Sequence, residues 1–545
     1  MLLPSLFAGL TLAATAAQAS PVDLVARNND APAVTIKNGT VEGLSIASFS
    51  QDAFLGIPYA QPPLNALRFR KPRSLNTTYA GGVLEAKAYP PHCPGVGGDN
   101  ISYQQGEDCL GLNVVRPAGV KEGDNLPVGL WIHGGGFQMG GSADMRYNGS
   151  WVVQRSVEMD KPIIYVSINY RVAALGYLAS AEVKASGEQN FGLYDQRLAM
   201  HWVHENIAAF GGDPSKVTVW GESAGARALS YHLVGYGLTS TPLFRAAILE
   251  SGALPIFPPT NTSAYQPSFD AIVAGTGCGD AVDKLECLRG VPIEAFNATA
   301  SAHKFEPVID GEILAQGMTE SLAEEAFVKV PMLIGTNTDE GASFGTKNLN
   351  TTADLSAALL TKYPLLSPSE IDTLLALYPD DPLLGCPFNT GDLLLPSGAQ
   401  DKRSNAIIGD VDQHARTRRL RRKMAEHEKV YSYRWDQAPQ NATYAAGTGH
   451  FVEVAYVFAV PNEYKTANTL GNRPGDAELA KLTTSQWVSF IHDLDPNNHG
   501  IEGAPTWPNY QDAHQNFVHN RHGSSVETDD FRTEGIDYII GLARS

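Results

Sequence analysis

Apolar residues in this chain fall into short continuous runs separated by longer amphipathic stretches, a rhythm that predicts buried strands alternating with helices. Leu126 to Ile132, Pro162 to Tyr170, Lys216 to Trp220, Leu243 to Leu249, Val330 to Gly335 and Lys429 to Trp435 read as strands. Their unbroken apolar character suits a parallel sheet covered on both faces. Leu193 to Phe210 instead sets Leu193, Leu198, Ala199, Trp202, Val203 and Ile207 on one helical stripe. Gly211-Gly212 ends that helix, and Asp213-Pro214 turns the chain into the next strand. Strand, helix and strand in this order form a βαβ unit.

Other stretches are shorter. Val34 to Ser50 alternates apolar and polar around Asn38-Gly39, the signature of a small hairpin. Leu355 to Tyr363 and Ser369 to Leu377 read as two helices kept apart by Pro364 and Pro368. Trp487 to Asp493 is expected to be a C-terminal helix, with an irregular tail from Pro505. The one basic cluster, Arg416 to Lys423, reads as the solvated face of a helix, and Arg68 is expected to pair with a nearby carboxylate. No repeat or composition break divides the chain, so residues 32–545 read as one domain.

Composition narrows the function classes. Hydrophobic residues are 43% and charged residues 18% of the 545, enough for a large core. A formal net charge of -18 argues against nucleic acid or an anionic membrane surface as the main partner. Residues 1–19 read as a secretory signal: the apolar run Leu6 to Ala17 precedes Ala17-Gln18-Ala19, although no Lys or Arg comes before it. Residues 20–31 read as a loose arm, and no later run is long enough to span a membrane. Secretion agrees with glycan acceptors at Asn38, Asn76, Asn100, Asn148, Asn261, Asn297, Asn350 and Asn441. In an oxidising compartment Cys93 with Cys109 and Cys278 with Cys287 would close two short loops, leaving Cys386 as a free or buried thiol. The first loop, if closed, is an Ω-loop able to lie over a site.

The chemistry centres on Gly221-Glu222-Ser223-Ala224-Gly225, a G-x-S-x-G set between the Lys216 strand and a helix from Ala224 to Val234. Such a turn forces the nucleophile into a strained, exposed position and aims a helix N-terminus at whatever it attacks. Upstream, the Leu126 strand runs into His133-Gly134-Gly135-Gly136, whose backbone N–H groups can turn together toward a developing oxyanion. Downstream, Asp339-Glu340-Gly341 follows a strand end and offers a carboxylate, and Gly447-Thr448-Gly449-His450 offers a base. The bland readings are a glycine-rich turn, a flexible loop and surface charge. Their occurrence in the chain order serine, acid, histidine favours chemistry.

Taken together these segments resemble the type-B carboxylesterase family, which also contains cholinesterases and a group of fungal lipases. The likeness runs from about Phe54 to Tyr510 and is densest over NFGLYDQRLAMHWVHENIAAFGGDPSKVTVWGESAG, supported by FLGIPYAQPP, EDCLGLNV, FEPVIDG and PTWP. The resemblance implies an α/β-hydrolase fold: a large, mostly parallel twisted sheet flanked by helices, with loops over the strand C-termini. It implies Ser223 as nucleophile, Glu340 rather than Asp339 as acid and His450 as base. It implies oxyanion donors at the N–H groups of Gly135, Gly136 and Ala224, and disulfides Cys93–Cys109 and Cys278–Cys287. Glu222 and Ser251 match positions near this set, with packing as the alternative role. No metal or cofactor is implied.

The expected enzyme is a secreted serine carboxylic ester hydrolase acting on a small-molecule or lipid ester. An interfacial triacylglycerol lipase or sterol esterase is the alternative. In the lipase relatives the first disulfide loop is a long apolar flap, whereas Cys93 to Cys109 here is short and polar and lacks tryptophan, which also speaks against choline esters. A non-catalytic adhesion or scaffold relative is the third reading, opposed by the presence of Ser223, Glu340 and His450 together.

Overall fold

The computed structural model describes residues 31–235, 243–258, 261–461 and 470–544. The expected signal segment and nearly all of the arm lie outside these residues. Among the described residues fourteen strands are formed: β1 (Ala33–Ile36), β2 (Gly39–Glu42), β3 (Leu44–Ile46), β4 (Gln51–Pro58), β5 (Val83–Glu85), β6 (Gly111–Pro117), β7 (Leu126–Ile132), β8 (Ile164–Ile168), β9 (Gly212–Glu222), β10 (Ala246–Glu250), β11 (Met332–Asn337), β12 (Val430–Trp435), β13 (Gln515–His519) and β14 (Ser525–Thr528). β1 and β2 pair through a turn at Lys37-Asn38, one residue before the expected Asn38-Gly39, since Gly39 already pairs with Ile36; β5 joins them in a small sheet.

The main sheet has 11 strands in the order β14-β13-β12-β11-β10-β9-β7-β8-β6-β4-β3. From β8 to β13 every neighbouring pair is parallel, and the antiparallel pairs lie toward the two edges. β8, β10 and β11 are buried at every position, which explains why their sequences are runs rather than alternations. Helices Phe191–Asn206 and Ala224–Val234 cover one face, with Ser150–Glu158 and Asp476–Asp493 on the other. The chain leaves β7 toward β8 on one side and returns to β9 on the other. The crevice past the C-terminal ends of β7 and β9 is therefore a topological switch point, where α/β sheets bind ligands.

Three sequence expectations need correction. The chain after Pro505 is not irregular: it forms β13, β14 and the helix Thr533–Gly541. β13 is only five residues long, and its burial against Trp507 and Trp487 comes from distant packing that a local pattern does not reveal. The basic cluster lies on helix Ala415–Ala425, but its face is not simply solvated. Arg418 and Arg421 are buried and converge on Asp529, over a hundred residues away; Arg418 Nη2 donates to it at 2.7 Å and the Tyr510 hydroxyl at 2.7 Å. The C-terminal helix also begins earlier than expected, at Asp476.

Burial alone would raise the Asp529 carboxyl, but Arg421 and Arg418 bring it below the usual range. The stabilisation is complete above the unfolded carboxyl's ordinary value and is lost as pH falls through the lower folded one. Asp529→Asn is expected to destabilise the protein by about 3–5 kcal/mol, because it strands two buried guanidinium groups. Denaturant unfolding of the purified variant checks this.

Arg68 pairs with Glu107, Nε to Oε1 and Nη2 to Oε2 both at 2.6 Å. Cys93 is joined to Cys109 and Cys278 to Cys287, while Cys386 is a buried free thiol. Three of the glycan acceptors are buried and engaged. The Asn38 amide donates to the Leu75 and Thr77 carbonyls at 2.9 and 2.8 Å, the Asn148 side chain accepts from the Ser150 N–H at 3.0 Å, and Asn100 is described below. Glycopeptide mapping of the protein expressed in a glycosylating host is expected to find these three bare, with glycan confined to exposed acceptors such as Asn76, Asn350 and Asn441.

Candidate active site

Ser223 follows β9 directly and caps the helix Ala224–Val234 with φ 55° and ψ −119°, a conformation that L-residues avoid. Such strain costs on the order of 1–3 kcal/mol and is held by the surroundings. The Ser223 N–H donates to the Glu250 carbonyl at 2.8 Å, and the Ser223 carbonyl accepts from Arg227 N–H at 2.8 Å. Gly225 lets the helix sit against the end of β7: a Cβ there would lie 2.1 Å from the Ile132 carbonyl oxygen.

His450 arrives on the loop after β12. Its Nε2 accepts from Ser223 Oγ at 2.8 Å, and its Nδ1–H donates to Glu340 Oε2 at 2.7 Å. The chain end of β11 settles which acid faces the histidine. Glu340 turns toward His450 and takes the Asn337 N–H on its other oxygen at 2.9 Å. Asp339 turns away and accepts the Phe388 and Thr448 N–H groups at 2.7 and 2.8 Å, which fixes the loop that delivers His450. Phe344 meets the imidazole edge-to-face at 4.7 Å.

The electrostatics suit a neutral base that can become charged. Burial disfavours the imidazolium, but the Glu340 carboxylate outweighs it and holds His450 above its usual 6.5. Burial would raise Glu340, yet His450's charge and hydrogen bond, with help from Ser251 and Asn337, bring it below the ordinary carboxyl range. Glu222 is different. Its Oε1 lies 3.2 Å from His450 Nε2, and burial together with the Glu453, Glu340 and Glu250 carboxylates pushes its carboxyl well above the usual range. Ser251 Oγ donates to Glu453 Oε1 at 3.3 Å, and Asn337 Nδ2 donates to Glu453 Oε2 at 2.6 Å and to the Gly449 carbonyl at 2.8 Å.

The turn after β7 lies directly against Ser223. A Cβ on Gly134 would come within 2.8 Å of the Glu222 carbonyl oxygen and 3.1 Å of Ser223 Cβ. Gly135 and Gly136 have φ of 98° and 64°, and among the described residues neither N–H is taken by a backbone carbonyl. The Ala224 N–H belongs to the first helical turn, which leaves its donors free. Three residues aim these donors, a role that the sequence alone does not show. Burial lowers His133 to about 3, so it is neutral, and its Nδ1–H donates to the Gly134 carbonyl at 2.9 Å. A peptide unit is planar and trans, so holding the Gly134 carbonyl points the Gly135 N–H the opposite way. Likewise, Gln138 and Met139 N–H grip the Gly135 carbonyl at 3.0 and 3.2 Å, which aims the Gly136 N–H. The three consecutive glycines signalled the turn, but nothing local showed which carbonyls would be held.

Comparison with known proteins bears on the fold and the family. A sequence model of the carboxylesterase family matches residues 30–536. Lipase 4 of Diutina rugosa is 36% identical over 558 residues, covering 94% of this chain and 96% of that protein. Secreted lipase 1 of Botryotinia fuckeliana is 36% identical over 552 residues, covering 94% and 93%. Among solved structures, EstA of Aspergillus niger superposes with a TM-score of 0.84 at 30% identity, over 94% of this chain and 98% of that one. A thermophilic PNB esterase gives a TM-score of 0.77 at 27% identity, over 94% and 100%.

Proposed function

The chain belongs to the carboxylesterase family and is a carboxylic ester hydrolase, and from that premise we propose that it is a secreted serine esterase whose acyl-enzyme forms on Ser223. The observation that supports this reading most is the unbroken line from Ser223 Oγ through His450 to Glu340 at 2.8 and 2.7 Å. Neutral His450 takes the Ser223 proton as the oxygen attacks the ester carbonyl. Glu340 fixes the imidazole tautomer and stabilises the imidazolium. The Gly135, Gly136 and Ala224 N–H groups receive the oxyanion, and one such donor is worth about 3 kcal/mol. His450 protonates the departing alcohol, then activates the water that releases the acid.

We read the substrate as a dissolved ester. Cys93 to Cys109 encloses a polar loop bonded to the glycine turn beside Ser223 rather than an apolar flap. Two relatives named lipases, at 36% identity, favour the second reading, an interfacial lipase. Hydrolysis of p-nitrophenyl esters from acetate to palmitate, measured below and above their solubility limits, separates the two. The expected profile favours short acyl groups and shows no jump at the aggregate phase. A long-chain preference with such a jump would establish the lipase.

A further inference from the structure

Asn100 sits in an Asn-Ile-Ser acceptor inside the Cys93–Cys109 loop, yet its side chain is buried and already committed. Its Oδ1 accepts the Gly140 N–H at 2.7 Å. Its Nδ2 donates within the loop, to the Cys93 carbonyl at 3.2 Å and to Gln105 Oε1 at 2.9 Å. A second tie runs alongside, from Val96 N–H to the Gln138 carbonyl at 2.7 Å. Met139 fills the space where a side chain on residue 97 would begin, so the loop and the turn interlock. The far side of the loop is anchored too, by Arg146 Nη2 on Asp99 at 2.6 Å and by Tyr103 stacked on His92 at 4.3 Å.

These ties bear on catalysis through one segment. Gln138 and Met139 hold the Gly135 carbonyl and so direct the Gly136 N–H, and they are themselves gripped from outside by Val96 and, through Gly140, by Asn100. A carbonyl held from one side and a donor aimed at the other leave the turn little freedom to rotate its peptide planes. We propose that Asn100 is a positioning residue for ester hydrolysis: it fastens the disulfide-closed loop to the turn bearing Gly135 and Gly136, and its place in a glycan acceptor is incidental. This rests on the reading of that turn as the oxyanion site. It makes the loop a fixed buttress rather than a lid.

Three variants of the full secreted chain test it: Asn100→Ala, Asn100→Asp and Ser102→Asn. The last destroys the acceptor without touching Asn100, at an exposed position whose φ of 72° asparagine tolerates. Active sites are titrated with diethyl p-nitrophenyl phosphate, and kcat and KM on p-nitrophenyl butyrate are expressed per titrated site. Asn100→Ala is expected to lower kcat by about 10- to 100-fold with KM within about twofold, the split of an interaction made in the transition state. Asn100→Asp keeps an acceptor for Gly140 but gives up the two bonds donated by Nδ2, to Cys93 and Gln105, and is expected to recover part of that loss. Ser102→Asn is expected to match wild type, and residue 100 to carry no glycan. Unchanged kcat per site in Asn100→Ala, or equal loss in Asn100→Ala and Asn100→Asp, would overturn the proposal. So would a loss in Ser102→Asn matching that in Asn100→Ala. If Asn100→Ala fails to fold, Asn100→Asp decides alone: a kcat loss of less than tenfold supports the Gly140 bond, and a tenfold or larger loss rejects it. Failure of the underlying reading looks different, since wild type itself would then show no hydrolysis dependent on Ser223.

Discussion

Ser223→Ala is expected to lose about 10⁴- to 10⁶-fold in kcat while folding as wild type does. The substitution removes only the atom that attacks. Backbone φ of 55° and ψ of −119° is no more strained for alanine than for serine, and the hydrogen bonds that hold it come from main-chain groups: Ser223 N–H to Glu250 and Arg227 N–H to Ser223. The residual rate should come from the turn's N–H groups and substrate binding, without a covalent intermediate. Steady-state turnover and circular dichroism on the same preparation check both halves. Loss of turnover together with loss of the folded signal would attribute the effect to stability instead.

Glu340→Gln is the second large effect, on the order of 10³- to 10⁴-fold in kcat. An amide in place of the carboxylate can donate to His450 Nδ1, which favours the tautomer with its proton on Nε2 and so blocks acceptance from Ser223. The pH dependence carries a sign of its own. In wild type the carboxylate holds His450 above 6.5, so kcat/KM should fall as pH drops through a midpoint on the alkaline side of that value. Removing the negative charge lowers the imidazole's proton affinity. The acid limb of the variant should therefore move to lower pH, even as its plateau collapses. A pH–rate profile of both proteins checks this; an acid limb that stays in place would mean that a group other than His450 titrates there.

The parts of the fold that could be read in advance are those encoded locally. β7 was bounded by its apolar run, and the Ser223 turn by two glycines between strand and helix. Glu340 and Asp339 are adjacent carboxylates, and residue identity alone does not separate them; the likeness to a family favoured Glu340, and the geometry gives the reason. Asp339 is spent on Thr448 and Phe388 N–H groups, leaving Glu340 to face the imidazole. What was misread depends on distant partners. Arg418 and Arg421 look like surface charge until Asp529 is brought beneath them. β13 looks irregular until Trp507 and Trp487 cover it. The holding roles of His133 and Asn100 are not legible in the sequence for a related reason: each acts on a backbone group whose direction no side-chain pattern records.

The central claim, a covalent intermediate on Ser223, is tested most directly by intact-mass analysis during titration with diethyl p-nitrophenyl phosphate, followed by peptide mapping. The account predicts one diethylphosphoryl group per chain, on the peptide containing Ser223, with esterase activity falling in proportion and no adduct on Ser223→Ala. Activity that survives full labelling, or inactivation that tracks an adduct on another residue, would contradict it.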